Sequence, residues 1–116
     1  MTNVTDYQVI LDSSVTLPKS NGDIDEDFKF PATGLGNGRT VLFMQVNPSG
    51  TAELKVTLNG ADVQTVTFGT DPTRSWHEII DEGVLKDSGN VLTLTRNSGS
   101  GSLTISDIFV LYQHEI

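Results

Sequence analysis

Apolar and polar residues alternate with a period of two along most of this chain. The clearest case is residues 51–59, where Leu54, Val56 and Leu58 are separated by polar side chains. Such alternation is typical of a β-strand with one buried and one solvated face. Asn59-Gly60 follows, a dipeptide that favours a type I′ turn, and the run 63–68 is again β-branched and aromatic. We therefore predict a β-hairpin over 51–68.

The same period predicts strands along the rest of the chain, the first two at a sheet edge: Tyr7 to Leu11, Val15 to Leu17, Asp27 to Pro31, Arg39 to Asn47, Asn90 to Thr95 and Leu103 to Tyr112. The run 39–47 is apolar on both faces, which predicts a central strand covered on both sides. In the last strand the apolar positions change phase near Asp107, which predicts a β-bulge at Ser106-Asp107. The segment Trp76 to Glu82 fits a short helical turn and an extended strand equally well.

These segments add up to eight or nine strands at the spacing expected of a sandwich or barrel. No long amphipathic helix is predicted between them, which excludes a parallel sheet with crossover helices. The fold class predicted is therefore all-β, an antiparallel two-sheet sandwich with at most one short helical turn. A length of 116 residues fits one domain over positions 1–116.

Charge and composition exclude several classes of partner. The formal net charge is −8, so phosphate backbones and anionic membrane surfaces are repelled, and we expect neither nucleic acid nor membrane as a partner. There are no cysteines, which excludes disulfides and thiolate chemistry. The N-terminal residues show no secretion signal and no run is long enough to span a bilayer. The compartment stays open, with an extracellular or particle-associated location compatible with the sequence.

Several turn motifs in the second half resemble a known superfamily. Leu58-Asn59-Gly60, the segment Leu85-Lys86-Asp87-Ser88-Gly89-Asn90, and a closing strand with the internal Asp107 occur in that order. This order resembles the galactose-binding-like jelly-roll domains found in carbohydrate-binding modules, although the Leu-to-Asn turn is one residue longer here. The resemblance implies a jelly-roll fold. It implies sugar binding less directly, because domains of this superfamily also serve as structural modules.

The residues offer little for catalysis. There are two histidines, His77 and His114, and no nucleophile elbow, phosphate-binding loop or dinucleotide fingerprint. His114 lies two residues from the end of the sequence, where we expect a mobile tail. We therefore predict a protein that is not an enzyme.

The segment Arg74-Ser75-Trp76-His77-Glu78 is the candidate ligand site. An exposed indole stacks on the C–H face of a sugar, and Arg74 and His77 offer hydrogen bonds to its hydroxyls. The alternative is that Trp76, the single tryptophan, is a core residue, as large aromatic residues in small domains usually are. The sequence leaves both interpretations open.

A second candidate is the acidic stretch Asn21 to Asp27. Asp23, Asp25 and Asp27 place carboxylates at every second position, the kind of hard oxygen ligand that calcium prefers. The stretch departs from an EF-hand loop, because Phe28 stands where the glycine belongs. A structural calcium ion is the one cofactor that the residues suggest, and a solvated acidic turn is the alternative.

Two functions follow as hypotheses. The first is a non-catalytic binding module that recognises carbohydrate through Arg74, Trp76 and His77. The second is a structural or assembly subunit of a phage-like or extracellular particle, in which the polar sheet faces contact protein partners and form a homo-oligomer. Oligomeric state separates them, since a stable trimer or larger assembly favours the second.

Overall fold

Eight β-strands form the fold in a computed structural model that describes residues 2–69, 72–97 and 101–116. No helix occurs in those ranges, so none there has the length and apolar character needed to cross a membrane. The strands are β1 (Asn3–Leu17), β2 (Ile24–Phe30), β3 (Thr40–Ser49), β4 (Ala52–Leu58), β5 (Ala61–Phe68), β6 (Arg74–Ile80), β7 (Asn90–Arg96) and β8 (Ser102–Glu115).

The strands form two antiparallel four-stranded sheets that pack face to face. The front sheet has the order β1-β8-β3-β6 and the back sheet the order β2-β7-β4-β5. Most successive strands cross from one sheet to the other, and this order is that of an eight-stranded jelly roll. The predicted fold class, an antiparallel β-sandwich of jelly-roll topology, is confirmed.

The hairpin predicted from Asn59-Gly60 joins β4 to β5. Asn59 has φ of 53° and Gly60 has φ of 82°, the two left-handed positions of a type I′ turn. The Asn59 side chain also reaches the next turn motif, because its Nδ2 donates to Val84 O at 2.7 Å and to Asn90 Oδ1 at 2.9 Å. Two of the three motifs on which the sequence resemblance rests are therefore parts of one hydrogen-bonded unit.

The core lies between the sheets and follows the predicted alternation. Leu54, Val56 and Leu58 of β4 point inward and are almost fully buried, opposite Leu42 and Val46 of β3. These five side chains belong to the continuous apolar core. Inward-facing positions of small jelly rolls are filled by side chains, which leaves the two outer sheet faces and the loops for binding.

The structure decides three local features of the sequence prediction. The first strand is continuous over 3–17, with register shifts between Val9 and Leu11 and between Leu11 and Ser14, instead of two short pieces. Residues 74–80 form edge strand β6, the extended one of the two alternatives predicted for this segment. The predicted bulge is confirmed: the β3–β8 register shifts after Phe43, and Asp107 adopts φ of 52°.

His114 belongs to the fold and not to a mobile tail. It pairs with Val4 of β1, and its Nδ1 lies 2.8 Å from Asp6 Oδ2. The ring packs so closely on Gly34 that a Cβ there would lie 2.2 Å from Nε2. Tyr112, two residues earlier, donates from its hydroxyl to Thr33 O at 2.9 Å. These contacts tie the loop after β2 to the end of β8.

The Asp6–His114 contact predicts an acid-sensitive contribution to stability. The hydrogen bond from His114, together with the backbone N–H of Tyr7, lowers the pKa of Asp6 below its usual value. A lowered pKa in the folded state means that the contribution is present above the unfolded pKa of about 4 and is lost as pH falls through the folded pKa. We expect Asp6→Asn to be less stable than wild type at pH 7, and the difference to shrink below about pH 4. Urea unfolding of both proteins from pH 7 to pH 2 measures this, and a difference independent of pH would contradict it.

Candidate binding face

The outward surface of the front sheet carries two rows of apolar side chains that cross all four strands. The register aligns Tyr7 with Leu111, Leu111 with Val41 and Val41 with Ile79. We call this the aliphatic row. A second row is displaced by two residues along each strand. It consists of Val9, Phe109, Phe43 and His77, and we call it the aromatic row. Antiparallel partners point to the same side of a sheet, so both rows face outward, away from the core.

Three rings stack side by side in the aromatic row. The Phe43 and Phe109 centroids are 4.9 Å apart with an angle of 9° between the ring planes. His77 stacks on the other side of Phe43 at 5.5 Å and 30°. Parallel, offset aromatic pairs at such distances are favourable beyond their buried area. The rings hold one another in place and form a rigid apolar strip near the middle of the sheet.

Several large apolar side chains on this face are exposed to solvent. Tyr7 is 62% exposed, Ile79 50% and Val9 44%, and they account for three of the five large apolar residues exposed in the described ranges. Contiguous exposed apolar surface on a soluble protein usually marks a binding site. The concentration of these side chains on one sheet therefore selects this face as the candidate site.

A depression lined by both apolar and polar side chains adjoins the aromatic row at the bulge. It has a volume of about 260 Å³ and is lined by Phe43, Met44, Gln45, Ser75, Asp107 and Phe109. Asp107 reaches it because the bulge adds a residue to β8 and places that residue in the left-handed region. Bulges next to functional sites commonly redirect a side chain in this way. A carboxylate, an amide and a hydroxyl thus border a pair of stacked rings.

The outward surface of the back sheet has the opposite character. Its rows contain Thr93 and Thr95 of β7, Thr57 of β4 and Thr65 of β5, interspersed with charged residues. The Thr93 hydroxyl donates to Asp27 at 2.8 Å. This face is a hydrogen-bonded polar surface, so the two sides of the sandwich offer very different chemistry to a ligand.

The structure separates the three residues of the sequence-predicted ligand site. Trp76 pairs with Met44, points to the inner side and packs partly buried against the core. Arg74 lies two residues away on that side, with its guanidinium 5.3 Å from the centre of the Phe68 ring. His77 alone of the three points to the outer face, where it joins the aromatic row. The three side chains therefore do not converge on one surface.

The acidic stretch also lacks the geometry of an assembled metal site. Asp25 and Asp27 lie exposed on β2 opposite Thr95 and Thr93, and Asp23 precedes the strand. In the ranges 2–69, 72–97 and 101–116, no three His, Asp or Glu side chains lie close enough together to hold a metal ion. Successive carboxylates on one side of a strand are spread along it, by about 7 Å for every two residues. The structure therefore lends no support to calcium at Asp23, Asp25 and Asp27.

Sequence reasoning missed the aromatic row, although a signal for it was present. The run 39–47 and the end of β8 are apolar at both alternating sets of positions, and for 39–47 this pattern predicts a strand covered on both sides. One set does fill the core, but the second set, including Phe43, Phe109 and Leu111, forms the outer face. Neighbouring strands with apolar residues on both faces can therefore indicate an exposed apolar face as well as a buried sheet.

The sequence matches no protein-family model and no curated protein. Solved structures resemble it strongly in fold. Dimeric latent PorU from Porphyromonas gingivalis aligns over 99% of this chain with a TM-score of 0.65 and 16% identity. The chain spans only 13% of the length of that PorU structure.

Carbohydrate-binding modules align over nearly their whole length. A family 35 module from Clostridium thermocellum has a TM-score of 0.59 at 12% identity, covering 90% of this chain and 97% of the module. A family 29 module mutant complexed with cellulohexaose has a TM-score of 0.57 at 11% identity, covering 94% and 91% of the two chains. At sequence identities this low, the similarity shows the fold alone. The chain therefore has the jelly-roll β-sandwich fold of the carbohydrate-binding modules, as the turn motifs in its sequence predicted.

Proposed function

We propose that this protein is a non-catalytic binding module that recognises a carbohydrate chain on the outer face of the front sheet. The observation that carries the proposal is the aromatic row, Val9, Phe109, Phe43 and His77, which is partly exposed and lies beside the depression that Gln45, Ser75 and Asp107 border. Modules with the same fold, one of them complexed with cellulohexaose, support a carbohydrate as the ligand class. The site differs from the one predicted from the sequence, and His77 is the residue that the two share.

The size of the apolar surface favours a small ligand. Four strands about 4.8 Å apart give rows about 14 Å long between the outer strand axes, and the two rows lie about 7 Å apart. The band therefore covers a few hundred Å², whereas a stable protein interface buries about 800 Å² on each partner. A linear oligosaccharide of several sugar units fits such a band. A protein partner would need additional surface.

The chemistry of the face suits a neutral sugar. The C–H faces of a pyranose ring are apolar and pack on the stacked rings, while its hydroxyls reach Gln45, Ser75 and Asp107 at the depression. The Asp107 carboxylate and the net charge of −8 repel uronic acids and sulfated sugars. We therefore expect neutral glycans to bind and acidic glycans to bind weakly.

The test is an array of neutral and acidic oligosaccharides, followed by titration calorimetry with cellohexaose, mannohexaose and xylohexaose. We expect Phe43→Ala to weaken the binding of any positive glycan about 30-fold, because Phe43 is the central ring and a binding hot spot contributes about 2 kcal/mol. Thr57→Ala on the back sheet is the matched control and should bind like wild type.

Two results would contradict the proposal. One is an array on which no neutral glycan binds. The other is a glycan whose affinity is unchanged in Phe43→Ala while Thr57→Ala weakens it, since that would place the site on the back sheet. Circular dichroism of both variants confirms that each retains the fold.

The exposed apolar side chains also favour a second candidate, an assembly subunit. Tyr7, Val9 and Ile79 would be covered if this face packed against other subunits. Sedimentation of wild type and Phe43→Ala separates the two functions. A trimer or larger assembly that Phe43→Ala dissociates, without glycan binding, favours assembly.

A further inference from the structure

Strand β6 is a regular edge of the front sheet, with a strand on one side only in the part of the chain that the structure describes. The sandwich has four edge strands, β1 and β6 in the front sheet and β2 and β5 in the back sheet. Natural proteins protect edges with bulges or clustered charges, because an unprotected edge pairs with other chains. Here β1 has two register shifts, the β4–β5 ladder has one, and β2 carries Asp25, Glu26, Asp27 and Lys29. Strand β6 pairs regularly with β3 over all seven of its residues.

The backbone groups that point outward on this edge can be assigned. The N–H of Ile79 donates to Glu78 Oε1 at 3.0 Å, so it points outward and not toward β3. In an antiparallel ladder the outward groups come from every second residue. The backbone groups of Ser75 and His77 therefore also face outward. They are placed to pair with another strand.

The charges on β6 are complementary to a second copy of the same strand. If two β6 strands pair antiparallel about Trp76, Arg74 of each copy lies opposite Glu78 of the other. Ser75 then lies opposite His77, and the outward backbone groups of both residues meet as hydrogen-bonded pairs. A register shifted to centre on His77 would place Arg74 opposite Ile80 instead. Opposite charges on directly facing residues stabilise a strand pair, and like charges destabilise it.

We propose that two copies of this protein associate through β6, edge to edge, in a two-fold symmetric dimer centred on Trp76. Such an interface is self-complementary, as a two-fold axis requires. The Trp76 residues of the two copies face each other as a non-hydrogen-bonded pair, in which side chains approach most closely. Their partly buried rings then cover each other at the seam between the sheets.

The dimer joins the two front sheets into one continuous sheet of eight strands. The aliphatic row of each copy runs to Ile79 on β6, so the apolar faces of the two copies become neighbours on one side. The pairing is short, because β6 has seven residues. A short interface of this kind gives a reversible dimer whose population depends on concentration.

Charge reversal followed by mixing tests the proposal. We expect sedimentation velocity of wild type between micromolar concentrations and about 1 mM to show a monomer–dimer equilibrium. Glu78→Arg places two arginines opposite two arginines, and Arg74→Glu places two glutamates opposite two glutamates. Each variant alone should be monomeric. An equimolar mixture should form a heterodimer, because every charged pair is then complementary.

Amide hydrogen exchange in the wild-type protein gives a second measurement that needs no variant. Protection of the Ser75 and His77 amides should increase with protein concentration, while that of Glu78, which faces β3, should not. As a control, Glu53→Arg reverses a charge on the back sheet and should leave association unchanged. A wild-type protein that stays monomeric at about 1 mM overturns the proposal. So does a dimer that persists in both single charge-reversal variants.

Discussion

Replacement of Arg96 by Met is expected to cost about 4 kcal/mol of stability and to lower the melting temperature by about 15 °C. Arg96 is fully buried at the end of β7. Its Nη2 donates to Ser20 O and Gly22 O, both at 3.1 Å, and its Nη1 donates to Asn97 O at 3.0 Å and to Gly101 O at 3.3 Å. One guanidinium thus links the segment before β2 to the segment before β8.

The physical reason is that Met fills much of the volume but offers no donor. Four carbonyl oxygens would lose a charged partner, and hydrogen bonds to charged groups contribute more than neutral ones. Arg96→Lys keeps the charge but has one nitrogen, so we expect an intermediate loss.

Thermal and urea unfolding measure these changes. Arg39→Met is the matched control, because Arg39 is exposed and its replacement should change stability by less than about 0.5 kcal/mol. Equal losses of stability in Arg96→Met and Arg39→Met would contradict the contribution assigned to burial and to the four carbonyl contacts.

Replacement of Asn90 by Asp is expected to cost about 3 kcal/mol at neutral pH and much less in acid. Asn90 is fully buried, its Nδ2 donates to Lys86 O, and its Oδ1 accepts from Lys86 N at 2.8 Å and from Asn59 Nδ2 at 2.9 Å. In the variant an oxygen replaces Nδ2 and faces a carbonyl oxygen. A buried carboxylate there is both desolvated and repelled.

The sign of the pH dependence follows from that environment. Burial and the facing carbonyl raise the pKa of the new carboxyl in the folded state above its unfolded value of about 3.9, since only the protonated form can donate to Lys86 O. A raised carboxyl pKa means that relative stability is greatest below the unfolded pKa and falls as pH rises through the folded pKa.

Urea unfolding of Asn90→Asp, Asn90→Ala and wild type from pH 3 to pH 8 tests this. The loss in Asn90→Ala should not vary with pH, because no group that titrates is added. Asn47→Asp adds the same charge on the exposed surface and should change stability by less than about 0.5 kcal/mol. A pH-independent loss in Asn90→Asp would contradict the role assigned to the amide.

The candidate site was much harder to predict than the fold. The sequence leaves Trp76 open between a sugar-stacking platform and a core residue, and on β6 it faces inward beside Met44. Phe43 and Phe109 are distant in sequence, and only the β3–β8 register brings their rings to 4.9 Å. A single-strand pattern does not say which strands become neighbours, so it cannot assemble a row that crosses four of them.

Arg96 shows that the pattern of a single strand also does not reveal the partners of a buried charge. Leu92, Leu94 and Arg96 occupy one side of β7 by simple alternation, so the sequence already points the arginine inward. The alternation does not supply its partners, which come from segments about 75 residues earlier and 5 residues later along the chain. Whether an inward-facing charge is tolerated is decided by those distant carbonyls.

The sequence by itself determined most of the strands, the Asn59-Gly60 hairpin and the bulge at Asp107, and its turn motifs indicated the jelly-roll class through their resemblance to a known superfamily. These features depend on local physics: side chains alternate across a strand, and particular turns require particular residues. The tertiary structure alone decided which apolar side chains meet on the outer face, that Arg74, Trp76 and His77 diverge, and that β6 is a regular edge of the front sheet. Those outcomes depend on strand order and register, which arise from packing between segments far apart in the chain.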